Sequence, residues 1–302
     1  MDKPLSMSDI PKEFLNACSM VGHVPLRALA CEPRVSYALY IPPTRYDVDP
    51  NPTKLPLLIW VHGTGRKWHA LYEDEMVSFA DQMPCAILAP LFPAGLDGPN
   101  DLDSYKILHS SSLRSDQALL EILDEVAARW PGIRTDKVFL KAFSGGGQFA
   151  HRFLYLYPER LAAISVGAPG RVTLLDFSKN WPQGVANTKT LFDREVVLEN
   201  IRKVPIQLVV GSEDNKVYGG EAFWNWLENF QKVKDERQSE ATGLSRMEIR
   251  RLQAVEELHK SWKTDGIDSQ LDIISGIAHE ARKARSCMLR FIEPLIQADI
   301  RK

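Results

Sequence analysis

The chain has 302 residues, 44% hydrophobic and 25% charged, the proportions of an ordinary soluble globular protein. A formal net charge of −2 gives no electrostatic argument for nucleic acid or an anionic membrane as partner. No run approaches the roughly 20 apolar residues that cross a bilayer, and MDKPLSMSDIPKEFLNACSM has no basic stretch leading into an apolar one, so no membrane span or signal peptide is expected and the location expected is cytoplasmic.

In chain order, Arg34 to Ile41 (RVSYALYI) alternates β-formers and stops at Pro42-Pro43, as a strand does. A charged, proline-rich linker runs to Lys54. PLLIWVHG (Pro56 to Gly63) and CAILAPLFP (Cys85 to Pro93) are continuous apolar runs of the kind buried on both faces of a sheet. Ser115 to Gly132 is the clearest helix: Leu119, Ile122, Leu123 and Val126 recur at i, i+3, i+4, i+7, and Pro131-Gly132 ends it. KVFLKAFS then reads as a strand and GGQFAHRFLYLYP as a helix stopped by Pro158. Leu161 to Pro169, Pro205 to Asp214 and Gln270 to His279 are three more strands, followed by a helix around Met288, Ile292 and Ile296.

Strands alternating with helices imply parallel pairing, hence an α/β fold with an open, mostly parallel sheet. A single domain over residues 1–302 is expected, with a core at 34–170 and 204–302. Residues 171–203 are a candidate lid, and 215–268 a helical insertion whose charge faces water. That insertion reads as two helices, EAFWNWLENFQ and SRMEIRRLQAVEELHKSW. The four cysteines (Cys18, Cys31, Cys85, Cys287) have no C-x-x-C spacing and read as free, mostly buried thiols, with no zinc site or disulfide framework expected.

The chemistry centres on KAFSGGGQ, where Ser144 stands between a strand and a helix. A nucleophile elbow needs that context, with small residues two positions before and after the serine. Those positions hold Ala142 and Gly146, so G-x-S-x-G becomes A-x-S-x-G. A serine hydroxyl needs a neighbouring imidazole to take its proton, and the imidazole needs a carboxylate to orient it. Asp214 follows a late strand, with Glu213 a rival acid beside it, and His279 closes the last strand. The order Ser144, Asp214, His279 is the one expected of this elbow. His259 reads as solvated, and His151 as packing beneath the elbow. Oxyanion donors are expected from the amide of Gly145 and from the loop WVHGTGRKW, at Thr64 or else Gly65, with His62 shaping that loop.

These elements resemble the α/β-hydrolase superfamily from about Arg34 to the C-terminal helix. FSGGGQFAHRF and YPERLAAISVGAPG resemble serine esterases of the polyester-depolymerase-like branch. The resemblance implies the α/β-hydrolase fold with a short lid insertion after the sixth strand. It also implies a triad at Ser144, Asp214 and His279, no cofactor and no metal. The expected reaction is hydrolysis of an ester, lactone or thioester of a small, partly hydrophobic molecule, with Trp181, Leu191 and Phe192 of the candidate lid as substrate-binding residues. A C–C bond hydrolase or lyase using the same triad, and a ligand-binding receptor-like protein on the same fold, are the alternatives.

Overall fold

A computed structural model describes residues 5–47, 53–99, 101–214 and 251–301. The strands in chain order are β1 (Gly22–Ala28), β2 (Ser36–Ile41), β3 (Leu57–Val61), β4 (Ala86–Leu91), β5 (Val138–Phe143), β6 (Leu161–Gly167), β7 (Ile206–Gly211) and β8 (Gln270–Ile274). Between and after them lie α1 (Asp74–Gln82), α2 (Ser115–Arg129), α3 (Gly145–Leu156), the short α4 (Thr188–Phe192) and α5 (Leu198–Ile201), α6 (Arg251–Thr264) and α7 (Ala281–Ile300). The sheet order is β1-β2-β4-β3-β5-β6-β7-β8. The pairs β1·β2 and β2·β4 are antiparallel and the rest are parallel.

The apolar runs become the central strands because both of their faces are covered. Every residue of β3 and β5 is buried. Leu57, Ile59, Leu140 and Ala142 face a core shared with α2 and α3, while Leu58, Trp60 and Phe139 face one shared with α1 and α7. Each large apolar side chain so buried contributes about 1.5–3 kcal/mol. The helix α3, behind Ser144, is buried on all sides, as a central helix must be.

Three expectations change. β1 was not marked in the sequence: GHVPLRA contains Pro25, which suits only an edge, and an antiparallel edge strand with an irregular register is what it forms. With β1 counted, residues 171–203 do follow the sixth strand. Second, α6 is not wholly water-facing: Val255, Leu258 and Trp262 are buried, and the Trp262 indole donates to Tyr155 Oη at 2.8 Å. The charges of Glu256, Glu257, Lys260 and Lys263 occupy the opposite, exposed side. The segment EAFWNWLENFQ lies outside the described residues. Third, Cys85 is buried but Cys18 and Cys31 are exposed, all of them free thiols.

Candidate active site

Ser144 joins β5 to α3 with φ 59° and ψ −119°, a region that side chains avoid at a cost of about 1–3 kcal/mol. Neighbouring backbone holds it there, since Ser144 N–H donates to the Gly167 carbonyl at 2.8 Å. The glycines that follow are required by crowding. A Cβ on Gly145 would lie 2.6 Å from Tyr105 Oη, on Gly146 2.3 Å from the Val61 carbonyl oxygen, and on Gly147 2.5 Å from that of Gly167. The methyl of Ala142, by contrast, fits in the core between β3 and β6. The turn therefore tolerates alanine before the serine and demands glycine after it.

His279 and Asp214 come to this corner from the connections that follow β8 and β7, which lie three and two strands across the sheet from β5. His279 Nε2 lies 2.8 Å from Ser144 Oγ, and Nδ1 lies 2.8 Å from Asp214 Oδ2. A carboxylate only accepts, so Nδ1 carries the proton and Nε2 is free to accept from the serine hydroxyl. Asp214 is fully buried while Glu213 is exposed, which separates the two rival acids. Burial, first, and the nearby Arg251 hold the His279 imidazole below its ordinary pKa, although Asp214 pulls the other way. The loop bearing His279 reaches this position because Gly211 has no side chain: a Cβ there would sit 2.2 Å from the Ile277 carbonyl oxygen.

The amide of Thr64 lies against Gly145, with Thr64 N 2.9 Å from where a Gly145 Cβ would stand. Arg66 fastens this loop, donating to the carbonyls of Thr64 and Phe92 at 3.0 Å and of Pro93 at 3.1 Å. His62 fastens it too: Nδ1 lies 2.8 Å from the Gly63 carbonyl oxygen, and Nε2 accepts from Phe92 N–H at 3.1 Å. Burial pushes this imidazole down to about 3, so it stays neutral. His151, buried beneath the elbow, bridges the Gly147 carbonyl and the Thr173 amide in the same way.

A cavity of about 690 Å³ opens beside Ser144 and His279, with Trp60, Val61, Thr64 and Phe143 among its lining. Trp181, Leu191 and Phe192 do not line it, contrary to the expectation that they bind substrate. They pack their own segment against the body instead. Trp181 and Phe192 stand edge to face with centroids 4.9 Å apart, and the Trp181 indole donates to the Ile107 carbonyl at 2.7 Å. Arg114 holds the Leu191 carbonyl at 3.0 Å and lies over the Phe192 ring. Apolar content in a long connection announced burial, and here the burial is against protein.

Two residues at the site escaped sequence reasoning. Arg251, in what reads as a charged run, places Nη1 3.3 Å from Asp214 Oδ1. Arg66, with no periodicity to mark it, ties down the loop after β3. Only the adjacency of Arg66 to the H-G-T-G turn offered any signal.

Ser144 on a strained strand-to-helix corner, hydrogen-bonded to a histidine and through it to an aspartate, on a sheet of this order, defines the α/β-hydrolase fold. Neither protein-family models nor curated protein sequences give a match to this chain. Among solved structures it is similar in fold to a poly(3-hydroxybutyrate) depolymerase from Bordetella parapertussis, at TM-score 0.63 and 18% identity over 93% of this chain and 94% of that one. It is similar also to poly(aspartic acid) hydrolase-1 from Sphingomonas sp. KT-1, at 0.61 and 18% over 85% and 92%. An S-formylglutathione hydrolase from Agrobacterium tumefaciens resembles it at 0.55 and 15% over 87% and 89%.

Proposed function

We propose that this chain is a serine hydrolase that cleaves a carboxylic ester, lactone or thioester of a small, partly hydrophobic molecule through an acyl-enzyme on Ser144. The observation that carries the reading is the unbroken relay from Ser144 Oγ to His279 to Asp214, 2.8 Å at each step. Ser144 Oγ attacks the carbonyl carbon while His279 Nε2 takes its proton, and buried Asp214 supports the imidazolium that forms. The carbonyl oxygen, now an anion, accepts from the amides of Gly145 and Thr64. Protonation of the leaving group by His279 releases the alcohol or thiol. Water activated by the same imidazole then frees the acid and restores the serine.

Trp60, Val61 and Phe143 in the cavity wall support a partly hydrophobic substrate. The esterases and depolymerases among the structural neighbours are in keeping with ester cleavage. No described helix is long and apolar enough to cross a membrane. A cytoplasmic location belongs to the proposal, and cell fractionation tests it. The chemistry is tested with p-nitrophenyl esters from acetyl to octanoyl on wild type and Ser144→Ala, alongside fluorophosphonate labelling. Serine-dependent turnover supports the reading; a folded Ser144→Ala protein with wild-type turnover sinks it.

A further inference from the structure

The cavity beside Ser144 is cationic although the chain as a whole carries a formal charge of −2. Its walls hold Arg66 and Lys67 from the loop after β3 and Arg282, Lys283 and Arg285 from the start of α7, against Glu73 and Glu280. Five positive side chains to two negative leave a formal surplus of three. Both acids are already engaged. Arg282 and Arg285 reach Glu73 at 3.2 and 2.7 Å, and Lys283 reaches Glu280 at 3.0 Å, while Glu75 is a second partner of Arg285 at 3.3 Å. Arg66 spends its donors on carbonyls and bonds no carboxylate, although Asp101 and Asp103 stand near enough to act on its charge. Lys67 is exposed and makes no ion pair among the described residues.

Behind the same wall lie donors without acceptors. Trp60 Nε1 and Arg285 Nε, both on buried residues that line the cavity, make no hydrogen bond among the described residues. Nor does Lys141 Nζ, fully buried 3.8 Å from the Trp60 ring centroid. A buried N–H without an acceptor costs about 1–3 kcal/mol; these three donors stand behind the cavity surface and do not open into it. Desolvation and the Arg285 charge hold Lys141 well below the ordinary lysine pKa, against a smaller pull upward from Glu75 and Glu73.

We propose that the site takes esters bearing an anionic group, carboxylate or phosphate-like, held between the Arg66–Lys67 loop and the first turn of α7. This deepens the serine-hydrolase reading and rests on it for the bond that reacts. A cleft lined by one sign of charge concentrates the opposite sign and speeds its capture, an effect that salt suppresses.

The test uses matched ester pairs. Mono-p-nitrophenyl adipate against its methyl ester places the charge on the acyl side. A 3-carboxy-4-nitrophenyl against a 4-nitrophenyl butyrate places it on the leaving group, and a phosphonate in place of the adipate carboxylate separates the two anion types. In at least one pair the anionic member should lead by about tenfold in kcat/KM at about 20 mM salt, the lead shrinking as salt rises. Lys67→Glu with Lys283→Glu should reverse the ratio. Equal or better turnover of the neutral member in every pair overturns the proposal. Binding of the adipate pair to Ser144→Ala, by calorimetry, separates it from the reading beneath it. Preferential binding of the anion supports the anionic site even if wild type turns nothing over, and that second result would count against the hydrolase reading alone.

Discussion

His62 and His279 are wired alike and do different work. His62 directly follows β3 and His279 lies on the loop after β8, each imidazole largely buried with Nδ1 against an oxygen and Nε2 against a donor. For His62 the oxygen is the Gly63 carbonyl and the donor is the Phe92 amide. For His279 they are the Asp214 carboxylate and the Ser144 hydroxyl. A carbonyl cannot stabilise an imidazolium as a carboxylate does, and an amide does not yield its proton as an activated hydroxyl can. Burial alone therefore makes a structural strut, and burial with an acid behind and a hydroxyl in front suits an imidazole to the part of base that we propose for His279.

The largest break in that comparison is at the partners of His279. Ser144→Ala and Asp214→Asn should each lower kcat on a p-nitrophenyl ester by about 10⁴-fold with the fold retained by circular dichroism, while Glu213→Gln stays within twofold. Cutting the strut should show in stability as well as rate. His62→Leu strands the Phe92 amide and the Gly63 carbonyl, so urea melts should lose about 2 kcal/mol and kcat about 10- to 100-fold as the loop after β3 shifts.

Acid should expose the buried imidazoles next. His62 protonates near 3 when folded, and His151 well below its ordinary value, against about 6.5 for each when unfolded. The unfolded chain thus binds more protons as pH falls. Stability that is intact above pH 6.5 should drain by up to ~1.4 kcal/mol per pH unit for each group, and urea melts at successive pH values should show a shallower loss in His62→Leu. The smallest effect concerns Arg251. Since the His279 pKa lies below 6.5, kcat/KM should reach half its plateau below pH 6.5. Arg251→Gln removes one of the charges that depress it, so the acid limb should move to higher pH. An unmoved limb would make Arg251 a mere packing residue.

Much of this was legible before the structure. Apolar runs marked β3 to β7, because central parallel strands bury both faces, alternation marked β2, and the glycines after Ser144 marked the corner, because no side chain fits there. The edge strand β1 was not legible, since its half-exposed residues and Pro25 carry no apolar run. The choice of Asp214 over Glu213 needed the burial of one and the exposure of the other, which adjacent acids in a turn do not declare. Trp181 and Phe192 misled for the same reason that they were noticed: apolar surface must be covered, and sequence does not say by what. Arg251 meets Asp214 across 37 positions of chain, a contact no local pattern encodes.

Gly211 bears on how this protein can change over generations. It touches no reacting atom, yet the His279 loop passes where its side chain would be, with two carbonyl oxygens at 2.2 and 2.7 Å from a built Cβ. Even alanine there would push the loop outward and carry His279 away from Ser144. A saturation screen for the proposed activity should rank Gly211 beside Ser144, Asp214 and His279, so heritable variation in substrate preference would be channelled into the cavity walls and away from the strand that frames them.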